Sequence, residues 1–239
     1  MVIGRMIKEK LSSTPEGVVL TTKDFDVEMR YQPALVKALN RLVHQGVLQK
    51  IAKGKYYIPK KSIFGTLKPS ESELVKDFLE QDGKVVGYIT GTNAFASMGL
   101  TTQISSSVLV GTNKYRRPMT RDEVKISFLL QLNPITSSNI PLLRILDALR
   151  LVKEIPATSP DECVINICRA IGLLSLEQRN ELVELSLAYT PYVRALLGAI
   201  YEDLGFDTEI ISKTLNGVTS YKLPISDKAL SNKRNWNIV

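Results

Sequence analysis

Residues Arg30 to Ile58 read RYQPALVKALNRLVHQGVLQKIAKGKYYI, and this stretch decides how the rest of the chain is read. Leu35, Leu39, Leu42 and Val43 recur at steps of three and four, the spacing of one buried helix face. Lys37, Asn40, Arg41 and His44 fall on the other side. Gly46 stands where a helix ends in a left-handed residue, a conformation glycine adopts without a Cβ clash. Leu48-Gln49-Lys50-Ile51 and Lys55-Tyr56-Tyr57-Ile58 then flank Ala52-Lys53-Gly54, a three-residue turn closed by glycine, which predicts a hairpin. Tyr56 and Tyr57 alternate faces, so one of them should pack on the core. A glycine-stopped helix feeding a basic hairpin has the order of a recognition helix followed by a wing.

The residues upstream complete that pattern. Val2, Ile3, Met6, Ile7 and Leu11 keep helical spacing, Pro15-Glu16-Gly17 breaks the chain, and Val18-Val19-Leu20 suits a short strand. Thr21 or Thr22 is placed to cap a brief helix through Phe25. Helix, strand, helix, helix, hairpin is the order of a winged helix-turn-helix, expected over residues 1–62.

Charge singles out the same segment. Residues 1–61 hold twelve Lys/Arg against five Asp/Glu, whereas the other residues carry nineteen of each, so the net +7 lies in the first quarter of the chain. That asymmetry suits a basic module for a polyanion joined to a neutral body. In helix-turn-helix proteins the N-terminal part of the second helix meets base edges in the major groove. Here that part is Tyr31, Gln32, Pro33, Val36 and Lys37, with Asn40, Arg41 and His44 further along. Gln32 suits adenine and Lys37 suits guanine or a phosphate. Lys53 would sit at the wing tip. Lys50, Lys55, Lys60 and Lys61 are expected phosphate contacts, which set affinity and salt dependence rather than sequence choice. The expected partner is therefore double-stranded DNA.

Downstream, Ser70 and Glu73 have capping-box spacing at the head of a helix running to about Gln81 and stopped by Asp82-Gly83, a connector over 63–83. Val85–Ile89, Ser107–Gly111 and Val124–Leu130 read as strands, with a short helix Ala94–Met98, giving a small mixed sheet over 84–132. From Ser138 to Gly205 the pattern is helical: one helix begins at Ile140-Pro141, and others cover about 160–172, 176–188 and 190–204, behind Ser159, Ser175 and Thr190. Residues 206–239 are less regular. The expected class is α+β: the winged helix-turn-helix, then a C-terminal domain over 84–239 made of the small mixed sheet, a mostly helical region over 138–205 and the irregular tail.

Composition excludes much else. No run approaches the roughly 18 apolar residues of a membrane span, and the N-terminus has no secretory pattern, so a cytoplasmic setting is expected. Cys163 and Cys168 suit buried free thiols. His44 is the only histidine, which removes histidine-based metal sites and triads that need a second one. There is no GxxxxGK[ST] phosphate loop. Tyr115-Arg116-Arg117 is a loop able to hold a phosphate, and Asp122-Glu123 with Lys125 is a loose nuclease-like grouping without an upstream metal-binding aspartate. No catalytic, cofactor or metal site is expected.

The stretch LVKALNRLVHQGVLQKIAKGKYYIP, from Leu35 to Pro59, resembles the winged-helix segment of AbiEi-type antitoxins, of type IV toxin–antitoxin systems. Gly87-Tyr88-Ile89-Thr90-Gly91-Thr92 and Gly99-Leu100-Thr101-Thr102-Gln103 resemble the start of that family's second domain, and the likeness extends over about residues 1–130 of a compact bacterial branch. Where the family often has Arg before the wing turn this chain has Lys50, which keeps the charge and loses bidentate geometry. The resemblance implies a winged helix that binds operator repeats and represses its own operon. It also implies a C-terminal body that counters a nucleotidyltransferase-like toxin. The alternative reading is a ligand-responsive winged-helix regulator, recognisable by an apolar pocket with convergent polar groups in residues 84–239.

Overall fold

In the computed structural model, which describes residues 2–63 and 65–239, helix α1 (Val2–Ser13) leads into strand β1 (Val19–Thr21). The expected brief helix after β1 is a single 3-10 turn, Thr22–Asp24. Its Asp24 carboxylate accepts the Thr21 backbone N–H at 2.6 Å and the Thr21 hydroxyl at 2.8 Å. A second 3-10 turn, Met29–Tyr31, runs directly into α2 (Gln32–His44). Gly46, at φ +72°, follows α2. Its N–H donates to Val43 O and that of Val47 to Leu42 O, each at 3.0 Å. This paired closure satisfies two carbonyls the helix would otherwise leave open.

Strands β2 (Gln49–Ala52) and β3 (Lys55–Tyr57) form the hairpin. Ala52 pairs with Lys55, so the turn is the two residues Lys53-Gly54 rather than three, and the register slips between Lys50 and Ala52. β3 lies between β1 and β2, with Leu20 opposite Tyr56 and Val19 opposite Tyr57. Ile7, Leu20, Phe25, Leu35, Leu39, Leu48 and Tyr56 make one buried cluster. Burying a leucine such as Leu35 or Leu39 stabilises the fold by about 1.5–3 kcal/mol.

Both tyrosines are buried, where one was expected. The second face of the sheet is held by α3 (Glu71–Leu79): Glu73 accepts the Val19 N–H at 2.8 Å and Asp77 pairs with Lys55 at 3.2 Å. Between the sheet and α3, where Pro59-Lys60-Lys61 was read as the end of the module, β4 (Lys60–Ser62) and β5 (Gly65–Leu67) pair as a further hairpin. α3 ends at Leu79, before the expected Gln81. Asp82 and Gly83, with φ of 51° and 72°, make the turn between β6 (Glu80–Gln81) and β7 (Lys84–Val85). Two left-handed residues in succession match the twist of a tight hairpin.

The chain continues through β8 (Gly87–Thr90), α4 (Thr92–Ser97), β9 (Val108–Thr112), β10 (Met119–Arg121) and β11 (Val124–Leu130). β8 pairs antiparallel with β9, which lies between β8 and β11. β10 was not expected. It pairs with the first residues of β11 across an Asp122-Glu123 turn whose φ values are also positive.

Helices α5 (Ile140–Arg150), α6 (Pro160–Gly172), α7 (Leu176–Ser186), α8 (Pro191–Asp203) and α9 (Glu209–Lys213) follow. Capping boxes open α6 at Ser159 and Glu162 and α7 at Ser175 and Gln178. α5 packs on α7 and α8. The irregular tail is part of this core. Tyr221 bridges to Ile238, and the Trp236 ring fills the space above Gly198, where an added Cβ would stand 2.1 Å from a ring carbon.

The class is thus α+β, with several helices and small sheets. Contacts divide the chain into two compact units: Met1–Asp77 with Met119–Ile126, and Phe78–Pro118 with Ser127–Val239. The first unit takes in most of α3 and the β10 turn, beyond the sequence boundary at 62, because Glu73 and Asp77 bind its sheet and Arg121 binds Asp77. Among the described residues no helix is long and apolar enough to cross a membrane.

Candidate nucleic-acid interface

The amphipathic pattern of α2 fixes which side chains it presents. With Leu35 and Leu39 fully buried, Lys37, Arg41 and His44 are exposed on the opposite side, at steps of four and three. Together with Pro33, Ala34, Val36 and Asn40 they line a shallow concave surface of about 680 Å³. Among the described residues none of these three side chains has a carboxylate partner. Asn40 is half-buried, and its amide oxygen accepts the Tyr56 hydroxyl at 3.2 Å. Its amide nitrogen stays available, now with a fixed orientation.

The N-terminal lip of α2 is more constrained than the sequence suggests. Gln32 is half-buried and its Nε2 donates to Val27 O at 3.1 Å, so part of its base-reading capacity is spent on the preceding loop. Tyr31 is exposed, with the Arg30 guanidinium 4.7 Å from its ring centroid. Arg30 also pairs with Glu28 at 2.9 Å.

On the hairpin, Lys53 is exposed at the tip and Lys50 is exposed beside it, its Nζ 5.9 Å from the Tyr56 ring centroid. Lys60 and Lys61 are exposed on β4. Lys55 is not available in the same way. Strand alternation puts it on the same face as Tyr57, where it pairs with Asp77. Arg121 meets the same carboxylate with two hydrogen bonds, 2.6 and 2.9 Å, and donates to Leu74 O at 2.7 Å. Burial alone would raise the Asp77 carboxyl. The hydrogen bonds and charges of Arg121 and Lys55 outweigh it and hold the group below the usual carboxylate range. Of the eleven expected DNA-facing residues, Lys55 is turned into the fold and Gln32 is partly engaged by the preceding loop; the alternate-face position of Lys55 was readable, but its partner from α3 was not.

The nuclease-like grouping resolves into a turn. Lys68 Nζ bonds to the Glu123 carboxylate at 2.9 Å and to Asp122 O at 3.2 Å. Among the described residues no cluster of His, Cys, Asp and Glu is arranged to hold a metal. Tyr115 and Arg117 are exposed, while the Arg116 guanidinium stacks 4.9 Å from the Phe78 ring centroid.

The second unit contains a buried polar network that the sequence did not announce. Tyr88 and Tyr189 donate their hydroxyls to the two oxygens of Asp147 at 2.7 and 2.9 Å, and Gln131 Nε2 donates to both hydroxyls. Burial dominates at Asp147 and pushes its carboxyl above the usual range, against the two tyrosine hydrogen bonds. The four residues come from β8, the chain after β11, α5 and the loop before α8. No local pattern connects them. The free Cys163 and Cys168 are also raised by burial, Cys168 to about 11, so neither is held as a thiolate.

The profile of a family of unknown function, DUF6088, matches residues 6–133, more than half of the chain. The chain belongs to the DUF6088 family. The DUF6088 match takes in α2, the hairpins that follow it and the strands through β11. No curated protein matches the sequence. Among solved structures the chain is similar to the crystal structure of RV2827C protein from Mycobacterium tuberculosis, with a TM-score of 0.51 over 93% of this chain and 85% of that one. At 14% identity this likeness concerns the fold.

Proposed function

We propose that the first unit is a winged helix-turn-helix that binds double-stranded DNA, with α2 in the major groove and the Lys53 turn as the wing. The observation that carries this reading is the unpaired stripe Lys37, Arg41 and His44 on α2, beside the exposed lysines of the hairpin, in the only strongly basic part of the chain. Asn40 faces base edges, Lys37 a guanine edge or a phosphate, and Arg41, Lys50, Lys53, Lys60 and Lys61 face phosphates. The resemblance to AbiEi-type antitoxins extends the proposal to an operon-autorepressing antitoxin without catalytic activity, whose second unit counters a nucleotidyltransferase-like toxin.

A gel shift with the DNA upstream of its own reading frame tests the first part. Saturable binding is expected, lost on Lys37→Ala with Arg41→Ala in a chain that still folds; unchanged affinity in that double variant sinks the assignment of α2. Co-expression with a nucleotidyltransferase-like neighbour tests the second part: growth rescue supports it, and toxicity undiminished by the folded protein removes it.

A further inference from the structure

A groove of about 470 Å³ lies on the first unit between α1, α2 and the hairpin ends. Its wall is apolar: Ile7, Leu11, Ala38, Leu42, Val47 and Ile58. Val47 is 46% exposed, although it follows a helix closure that normally buries an apolar contact. Its polar edge is cationic. Lys8 and Arg41 line it, both exposed and without an acidic partner among the described residues, and no Asp or Glu lines it. Gly4 lines one end, in the first turn of α1, where an added Cβ would meet nothing within 4 Å, so a side chain has room to enter there.

An apolar trough of this size is typical of small-molecule sites, roughly 300–1,000 Å³, in which a few polar groups fix orientation. We infer that the groove binds an amphipathic monoanion, a medium-chain carboxylate whose chain lies along Leu11, Leu42 and Val47 and whose carboxylate meets Lys8 and Arg41. Two unpaired cations at the rim of an uncharged trough select an anion over a neutral amphiphile. Arg41 also borders the concave outer face of α2. A carboxylate held there withdraws Arg41 from phosphate, so the ligand weakens DNA binding; this consequence rests on the DNA-binding reading. The site differs from the expected ligand pocket in lying within residues 4–58 rather than 84–239.

Calorimetric titration of the full chain with decanoate and with decanol, below their aggregation limits, tests the site. One decanoate per chain is expected, with decanol about tenfold weaker, as loss of a charged hydrogen bond implies. Lys8→Ala should weaken decanoate about two- to fivefold. Gly4→Phe plugs the trough and Val47→Glu places a carboxylate at its mouth, both at exposed positions, and each should abolish binding in a chain with unchanged helical content. No saturable binding, binding indifferent to Gly4→Phe and Val47→Glu, or light scattering that shows a dimer dissociated by those same variants overturns the site. Decanoate binding that leaves a measured DNA affinity unchanged overturns the coupling alone.

Discussion

The Tyr56 hydroxyl donates to the Asn40 amide oxygen across 3.2 Å, joining the middle strand of the three-stranded sheet to the exposed side of α2. One end of this bond is in the buried cluster and the other is on the surface assigned to DNA. It fixes which way the Asn40 amide faces, a preorganisation that lowers the entropy cost of a base contact. Tyr56→Phe should therefore cost about 1 kcal/mol of stability and weaken specific DNA binding more than non-specific binding. Thermal melting and gel shifts on operator and scrambled duplexes measure the two effects. Equal loss on both duplexes would remove the positioning role.

Lys37 and Arg41 should differ from Lys55 in salt dependence. Each phosphate contact contributes about 0.9 to the slope of log affinity against log salt. Lys37→Ala with Arg41→Ala is expected to lower that slope by up to about 1.8. Lys55→Ala should leave it unchanged while lowering the melting temperature, because Lys55 serves Asp77 and not the surface. Affinities measured across a salt series at fixed pH decide between them.

Asp77 and Asp147 should give the two units opposite responses to pH. The folded Asp77 carboxyl lies below its unfolded value, so its stabilising contribution is present above the unfolded value and is lost as pH falls through the folded one. The folded Asp147 carboxyl lies above its unfolded value. Its contribution is full below the unfolded value of about 4 and is lost as pH rises through the folded value. Asp147→Asn removes that titration and should flatten the fall in melting temperature as pH rises above the unfolded value. Asp77→Asn should weaken the chain most near neutral pH. Melting curves recorded against pH for the three proteins check both signs.

Gly198 is a close-packing position. An alanine there would place its Cβ 2.1 Å from the Trp236 ring, against an α8 whose neighbouring residues are fully buried. Gly198→Ala should destabilise by about 1–3 kcal/mol, the usual cost of overpacking, and raise the fluorescence change of this single tryptophan on mild denaturation. A variant as stable as the parent would show that the C-terminal tail is not docked as described.

Much of the chain was legible because its signals are local. The α2 stripe, the Gly46 stop, the serine caps of α6 and α7 and the proline-led helices each lie within a few residues of their effect, and all four appear in place. Asp82-Gly83 was legible as a break but not as a hairpin, because helix stop and tight turn use the same residues. β10 was missed since Met119-Thr120-Arg121 has no strand pattern of its own and is defined by the strand it pairs with.

The sequence alone determined that α2 would carry one buried and one basic face and that the net charge would lie beside it, since a 3.6-residue period and a count of charges need no partner. Only the tertiary structure decided that Lys55 is bound inward by Asp77, that Asn40 is tethered by Tyr56, that Lys8 and Arg41 flank one apolar groove, and that Asp147 is enclosed by Tyr88 and Tyr189. Each of these joins residues distant in the chain, and their burial and charge follow from neighbours that only folding supplies.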